Sequence, residues 1–211
     1  RERELITKDA TIREIHHRVK NNLQTVAALL RLQARRMTNP EARAALEEAM
    51  RRVSTIATVH ETLSQTLDET VDFDEFIRRN LRLAADVAAA SGHVRTVTSG
   101  EFGLVPAEDA TALALVLTEL VTNAVEHGFA DRTSGLVEVH AERDRDHLVV
   151  TVTDDGAGLP EGQGPGSGLG TQIVQALVIN ELRGSIEWSA REGGGTQVRV
   201  DVHLRTPRPT A

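Results

Sequence analysis

The sequence predicts an α+β fold in which an antiparallel hairpin of two long helices is followed by a sandwich of helices and strands. Residues 1 to about 67 contain no glycine and a single proline, and their apolar residues recur at helical spacing. From Val71 onward glycine is frequent, and helical segments alternate with strand-like segments. The last strand candidates form neighbouring pairs joined by short turns, which indicates antiparallel hairpins rather than a doubly wound parallel sheet.

Two amphipathic helices joined by a tight turn at Thr38-Asn39-Pro40 account for the first region. The apolar stripe of the first helix consists of Ile12, Ile15, Val19, Leu23, Val26 and Leu30, and that of the second consists of Leu46, Met50, Val53, Ala57, Leu63 and Leu67. Two helices alone bury such stripes poorly, so we expect a homodimer in which two hairpins form a four-helix bundle. The alternative is a hairpin that folds against the second region.

The second region alternates predicted helices with predicted strands. The helices are expected at 73–90, 107–129 and 171–182, and the strands at 94–97, 136–141, 147–152, 185–189 and 197–204. Asp72 or Asp74 should lie near the start of the first of these helices, and a glycine-rich loop at 156–170 precedes the last one. We therefore predict a helical domain at 1–70, a second domain at 71–205 and a frayed tail at 206–211.

Composition excludes several classes of protein. The chain has no cysteine, so it has no disulfide framework, no thiolate zinc site and no cysteine nucleophile. A net charge of −7 argues against a direct, sequence-independent interaction with nucleic acid. No apolar run approaches the roughly 20 residues of a membrane-spanning helix, and no segment resembles a signal peptide. We expect a cytoplasmic protein. Its upstream part should be missing from this chain, because Arg1 lies within a charged helical pattern.

Polar residues on one predicted helix form the first candidate site. Glu119 and Asn123 are four residues apart and so share a helix face. A solvated polar face would give the same pattern. In the functional interpretation, the Asn123 amide oxygen helps to hold Mg²⁺, which prefers oxygen ligands and is often shared with phosphates.

Three glycine-containing segments form the other candidates. Asp154 stands where a strand ends, followed by Gly156 and Gly158; this is either an ordinary turn or a carboxylate that accepts a hydrogen bond from a base amino group. The run 164–170 leads into a helix and is either a linker or a phosphate site built from free backbone N–H groups. Gly193-Gly194-Gly195-Thr196, taken alone, reads as a hairpin turn.

The order of these four segments resembles the Bergerat ATPase fold, which histidine kinases share with DNA gyrase, Hsp90-type chaperones and MutL proteins. The resemblance covers about residues 71–204 and implies that Asn123 binds Mg²⁺ and that Asp154 binds the adenine of ATP. It also places a further set of residues around the nucleotide: His127, Gly156, Gly158, Gly168, Leu169, Gly170 and Thr196. No G-x-x-x-x-G-K-[ST] run occurs, and no lysine follows Lys20, which excludes a P-loop enzyme and a protein-kinase fold.

The first helix resembles the phosphoacceptor region of sensor histidine kinases, because it contains an H-R-x-K-N box that begins at His17. HWE kinases carry a histidine before the helix glutamate and a W-x-E motif; here Thr118 precedes Glu119 and the only tryptophan is Trp188, so the chain is placed beside that group. Many histidine kinases have an acidic base directly after the acceptor. Arg18 occupies that position here, which leaves Glu119 as the candidate base.

Helical geometry distinguishes the two adjacent histidines. At about 100° per residue, His16 falls about 60° from the centre of the apolar stripe and should be partly buried. His17 falls about 160° away and should be exposed. His60 lies on the stripe of the second helix and is interpreted as structural, and His93, His140, His147 and His203 show no ligand-like spacing.

The resemblance implies transfer of phosphate from ATP to His17 and then to an aspartate of a response regulator, and it implies that the missing upstream part is a sensor domain. The whole fragment resembles actinobacterial antitermination kinases, which implies a regulator with an RNA-binding antitermination domain. Phosphoryl transfer needs positioning and charge neutralisation more than covalent chemistry from the protein. Two rival functions have the same ATP-binding fold. A gyrase- or Hsp90-like ATP hydrolase would leave the H-R-x-K-N box unexplained, and an anti-sigma-factor serine kinase lacks the long helical hairpin.

Overall fold

A computed structural model describes residues 2–65, 70–88, 93–129, 134–159, 165–166 and 168–206. The chain divides into two compact units, Arg1–Val71 and Asp72–Ala211. In the part of the chain that is described, no helix has both the length and the apolar character that crossing a membrane requires.

The first unit is the predicted helical hairpin. Helix α1 spans Glu2–Arg36 and helix α2 spans Pro40–Ser64. The Asn39 side chain caps α2, because its Oδ1 accepts hydrogen bonds from the backbone N–H groups of Glu41 (2.8 Å) and Ala42 (3.3 Å). Pro40 occupies the first helical position, where a missing N–H costs nothing. The turn predicted at 38–40 is therefore confirmed, with a cap and a proline that fix where α2 begins.

The packed face of α1 differs from the predicted stripe. Ala27 and Ala34 are buried, whereas the side chains of Ile15 and Val26 are 52% and 42% exposed. Ile15 and Val26 belong to the predicted apolar stripe, yet neither side chain is buried within the hairpin. A row that contains alanines lets two helices approach closely, and the bulkier residues are then left on the outer side. Leu67, predicted in the stripe of α2, lies outside the described residues.

After the hairpin, the described residues contain seven strands and three further α-helices. In chain order these are β1 (Thr70–Asp72), α3 (Phe73–Ala88), β2 (His93–Gly100), β3 (Leu104–Pro106), α4 (Ala107–Gly128), β4 (Ser134–Asp144), β5 (His147–Asp154), α5 (Leu169–Ala176), β6 (Ser185–Ala190) and β7 (Thr196–His203). Helix α5 continues as a π-helical segment, Leu177–Glu181, within the range predicted as one helix.

Five of these strands form one sheet in the order β2-β4-β5-β7-β6, and β1 and β3 form a separate two-stranded sheet. The β2–β4 pair is parallel, and the other pairs of the large sheet are antiparallel. The predicted α+β sandwich with antiparallel hairpins at its end is confirmed. The sequence did not predict β1 and β3, since strands of three residues are too short to show an alternating pattern.

An aliphatic core lies between the large sheet and the helices. Residues of β5 alternate between the core and the other face, so that Leu148, Val150 and Val152 are buried. Helix α4 is buried over most of its circumference, which explains its continuous run of Ala, Leu and Val. This packing fixes the ends of α4 and β5, where the candidate site residues lie.

An ion pair anchors the segment that follows β7 to the start of α4. Asp109 is fully buried, and its Oδ1 accepts a 2.6 Å hydrogen bond from Nη1 of Arg205. Its Oδ2 accepts a second 2.6 Å bond from the Arg205 backbone N–H. Asp109 also lies in the first turn of α4, where a carboxylate interacts favourably with the helix dipole.

The predicted start of α3 is also occupied by two carboxylates with different partners. Asp72 Oδ1 accepts a 3.4 Å bond from the Glu75 backbone N–H, as a residue before a helix does. The Asp74 carboxylate instead accepts 2.8 Å bonds from the backbone N–H groups of Phe102 and Gly103. Asp74 therefore holds the loop that leads into β3.

Candidate active site

Asp154 ends β5 and is a buried carboxylate, with 6% of its surface exposed. Its Oδ1 accepts hydrogen bonds from the backbone N–H groups of Gly156 (2.9 Å) and Thr196 (3.3 Å). Burial raises the pKa of Asp154, and those two backbone bonds offset part of the increase. The carboxylate is thus fixed in orientation through one oxygen.

The neighbouring Asp155 has a different role. Its Oδ1 accepts a 2.9 Å bond from the Leu136 backbone N–H, and its own N–H donates to the Leu136 carbonyl at 3.3 Å. Asp155 therefore extends the pairing of β4 and β5 beyond the end of β5. The bonds given for the Asp154 side chain go instead to Gly156 and Thr196.

The polar face of α4 meets the start of α5. Glu119 is buried and Asn123 is half-buried, so the simple interpretation of a solvated polar face does not describe Glu119. A Cβ atom at Gly170 would lie 2.9 Å from Glu119 Oε2 and 3.5 Å from Asn123 Oδ1. A side chain at position 170 would therefore require the Glu119 carboxylate to move. His127, in the last turn of α4, is exposed.

The glycine-containing segments converge on the same end of the sheet. Gly158 has a φ of +79°, which favours glycine, and a Cβ there would lie 3.2 Å from the Gly195 carbonyl oxygen. Gly195 itself packs against the backbone of Asp154, a contact that the sequence did not single out. Its only signal in the sequence was its place in the Gly193–Gly195 run.

The start of α5 is open to solvent. Gly168 precedes its first turn and is exposed, and the Leu169 side chain is 59% exposed. Residues 160–164 and 167 of the loop predicted at 156–170 lie outside the described residues. The roles assigned to Gly168 and Leu169 stay predictions.

On the hairpin, the two adjacent histidines differ in exposure as helical geometry predicts. His17 is exposed, and His16 is half-buried with its Nδ1 2.9 Å from Nδ1 of His60. Since two ring nitrogens can share only one proton in such a bond, at least one of the two rings is neutral. Arg18 forms a 2.7 Å ion pair with Glu14. His60, interpreted from the sequence as structural, thus has a specific partner beside the candidate acceptor.

Acidification should destabilise the hairpin through this histidine pair. Burial lowers the pKa of His60, and the charge of His16 lowers it further. A base with a depressed pKa in the folded protein binds fewer protons than in the unfolded chain, so stability is lost as pH falls below the ordinary histidine pKa of about 6.5. Thermal unfolding at about pH 8 and about pH 5 measures this loss. The loss should be smaller in His60→Gln and unchanged in the exposed-site control His17→Gln; a wild-type pH dependence in His60→Gln would contradict the assignment.

Comparison with known proteins matches both units. A family model described as histidine kinase matches residues 14–87, and a model described as histidine kinase-, DNA gyrase B- and HSP90-like ATPase matches residues 108–206. The histidine kinase domain of the Erythrobacter litoralis EL346 blue-light activated histidine kinase is similar in structure, with a TM-score of 0.66 and 26% identity. That match covers 95% of this chain and 94% of the other.

Curated relatives give the same result from sequence. The sensor histidine kinase PdtaS of Mycolicibacterium smegmatis is 52% identical over 210 residues, and that of Mycobacterium tuberculosis is 53% identical over 211 residues. Each match covers 98% of this chain and 41% of the relative, so the chain spans about two-fifths of the length of these relatives. Two family models in the expected order, a similar kinase-domain structure and relatives that match nearly the whole chain show that this chain belongs to the histidine kinases.

Proposed function

We propose that this chain transfers the γ-phosphoryl group of ATP to His17 and then passes it to an aspartate of a response regulator. The observation that carries the proposal is the convergence of four separate sequence segments at one end of the second unit. Helix α4, the end of β5, the start of α5 and the start of β7 are joined there through Asp154, Gly170 and Gly195. On the first unit, an exposed histidine begins the H-R-x-K-N box.

Asp154 would bind the adenine base. Its Oδ1 is held by two backbone donors, and no group among the described residues donates to its Oδ2. An ionised carboxylate only accepts hydrogen bonds, and the exocyclic amino group of adenine donates them. The geometry therefore supports one hydrogen bond from adenine to Oδ2, while Oδ1 keeps the carboxylate in place.

The phosphates and Mg²⁺ would lie between α4 and the start of α5. Asn123 provides an amide oxygen on the inner side of α4, next to Gly170. Backbone N–H groups at the start of α5, near Gly168 and Leu169, can bind phosphate oxygens. Glu119, buried beside Asn123, is the candidate base that accepts a proton from the attacking imidazole. When Mg²⁺ is bound, it would neutralise charge on the β- and γ-phosphates.

Asn123→Asp should impair phosphoryl transfer more than nucleotide binding. The substitution keeps the size of the side chain but adds a negative charge beside Glu119, which changes how the metal and phosphates are held. We expect autophosphorylation to fall by about 10- to 100-fold with a changed Mg²⁺ dependence, while adenine binding at Asp154 is retained. Rates measured over a Mg²⁺ titration, with binding of a fluorescent ATP analogue, test this. Asn180→Asp, at an exposed asparagine of the π-helical segment, is the matched control.

The hairpin would pair with a second copy of the chain. Four large apolar side chains of α1 are more than two-fifths exposed on the outer side of the hairpin: Ile15, Val26, Leu29 and Leu32. Such a row is what a four-helix bundle buries when two hairpins combine. The hairpin at 1–70 is then the dimerisation and phosphotransfer domain, and 71–205 is the catalytic domain.

The chemical stability of the phosphate that the chain acquires from labelled ATP tests the proposed function. With γ-labelled ATP and Mg²⁺, the chain should acquire an acid-labile, base-stable phosphate, which indicates phosphohistidine. The label should then move to the aspartate of a regulator, and a regulator with an RNA-binding antitermination domain is the first one to test. Release of free phosphate without labelled protein would instead indicate an ATP hydrolase, and an acid-stable label on a second protein would indicate a serine kinase.

A further inference from the structure

Three side chains that bind metals in other proteins lie together at one end of the strand pair β5 and β7. His147 and His203 are directly opposite each other in the antiparallel register, and Asp201 lies two residues before His203 on the same face. Their ligand atoms, one from each residue, all lie within 4.8 Å of one another. No spacing pattern in the sequence indicated this group, because 54 residues separate His147 from Asp201.

The contacts of Asp201 leave one oxygen directed at the histidines. Its Oδ1 is 2.7 Å from His147 Nε2, and its Oδ2 accepts a 3.2 Å bond from Nη2 of Arg199. A hydrogen bond to the outer oxygen of a carboxylate orients that carboxylate for metal binding. The side chains of His147 and Asp201 are 39% and 31% exposed, so an ion can reach them from solvent.

We propose that His147, Asp201 and His203 bind a divalent transition-metal ion of the Zn²⁺ type. Two imidazole nitrogens and one carboxylate oxygen form a ligand set that suits Zn²⁺. The ion takes the place of the proton between His147 Nε2 and Asp201 Oδ1, and that proton is released to solvent. The two imidazole rings are stacked, with centroids 4.6 Å apart and planes 17° from parallel. Because the lone pair of a ring nitrogen lies in the plane of its ring, the His203 ring would tilt to direct its nitrogen at the ion. A water molecule completes the tetrahedron.

This group is separate from the candidate nucleotide site. His147 begins β5 and Asp154 ends it, which places the two ends of the strand about 23 Å apart. Metal binding here would cross-link β5 and β7 at the far end of the sheet. Substitutions in the group are therefore expected to leave nucleotide binding unchanged, which gives each variant an internal test of folding.

Titration of the metal-free 211-residue chain with Zn²⁺ by calorimetry tests the proposal, and tetrahedral bands in the visible spectrum of added Co²⁺ report the geometry. We expect one Zn²⁺ per chain at this group, and His147→Gln, Asp201→Asn and His203→Gln should each weaken binding by about tenfold or more. His140→Gln is the matched control, because His140 is an exposed histidine that has Ser99 and Glu142 as neighbours.

The outcome is decided by comparison of the four variants. Loss of Zn²⁺ binding in the three ligand variants, with binding retained in His140→Gln and ATP-analogue binding retained in all four, supports the site. Wild-type affinity in any two of the three ligand variants overturns it, as does the absence of saturable Zn²⁺ binding to the wild-type chain. If one ligand variant fails to fold, the other two and the Co²⁺ spectrum of the wild-type chain still decide the question.

Discussion

Replacement of His17 by Gln should abolish autophosphorylation while the fold and ATP binding are retained. Glutamine has no imidazole nitrogen to accept the phosphoryl group, and His17 is exposed, so its removal should change the free energy of unfolding by no more than about 0.5 kcal/mol. The measurement is incorporation of label from γ-labelled ATP, with circular dichroism for folding and a fluorescent ATP analogue for binding. We expect incorporation to fall to background.

His16→Gln is the matched control for this result. His16 is half-buried and bonded to His60, so its replacement should lower stability by about 1 kcal/mol and leave the protein competent to incorporate label. The helix is continuous from Glu2 to Arg36, so the two adjacent histidines point to different sides of α1. If His17→Gln were labelled while a folded His16→Gln were not, the roles of the two histidines would have to be exchanged.

Asp154→Asn should weaken ATP binding by about 10- to 100-fold, because an unpaired polar group in a buried site costs about 1–3 kcal/mol. The asparagine oxygen can still accept the bonds from Gly156 and Thr196. Its NH₂ group then replaces Oδ2 and faces the adenine amino group, so two donors meet. Titration of a fluorescent ATP analogue measures the loss. Asp155→Asn should bind normally, since its side-chain oxygen needs only to accept from Leu136.

The same substitution should not destabilise the protein in the absence of nucleotide. Burial raises the pKa of Asp154, which means that the ionised carboxylate is less favourable in the folded chain than in the unfolded chain. This cost is absent below the ordinary aspartate pKa of about 3.9 and is complete once pH has risen through the raised pKa of the folded chain. Asp154→Asn removes that pH dependence, so its stability at neutral pH should equal or exceed that of wild type. A destabilised Asp154→Asn protein with normal ATP affinity would contradict both roles.

Periodicity and local turn signals were sufficient to predict most of the fold. Clear apolar patterns occur in the helices of the hairpin, in α4, and in the antiparallel strand pairs β4–β5 and β6–β7. Asn39 and Pro40 marked the start of α2. The parallel β2–β4 pair was not predicted, because parallel strands are joined by long connections that leave no local signal. The pattern did not show which residues of the α1 stripe pack within the hairpin, because Ile15 and Val26 are as apolar as the residues that do.

The candidate site was also predicted only in part from the sequence. The order of the motifs predicted that Asn123, Asp154 and Gly170 belong to one site. In the structure, the segments that contain them lie at one end of the second unit. Turn signals alone did not distinguish the two neighbouring aspartates, and only the resemblance assigned the adenine to Asp154. The bond from the Leu136 backbone N–H to Asp155 is seen only in the structure. The sequence also could not reveal the bond between His16 and His60, which depends on how the two helices pack.

The ion pair between Asp109 and Arg205 determines how far a shortened form of the second unit must extend. A chain cut after Leu204 would retain all seven described strands, yet it would leave the fully buried Asp109 carboxylate without its cation and without the Arg205 backbone N–H. Removal of one partner of a buried ion pair costs about 3–5 kcal/mol, out of about 5–15 kcal/mol for the whole stability of a typical domain. The smallest stable version of this unit therefore includes Arg205, two residues beyond the end of β7.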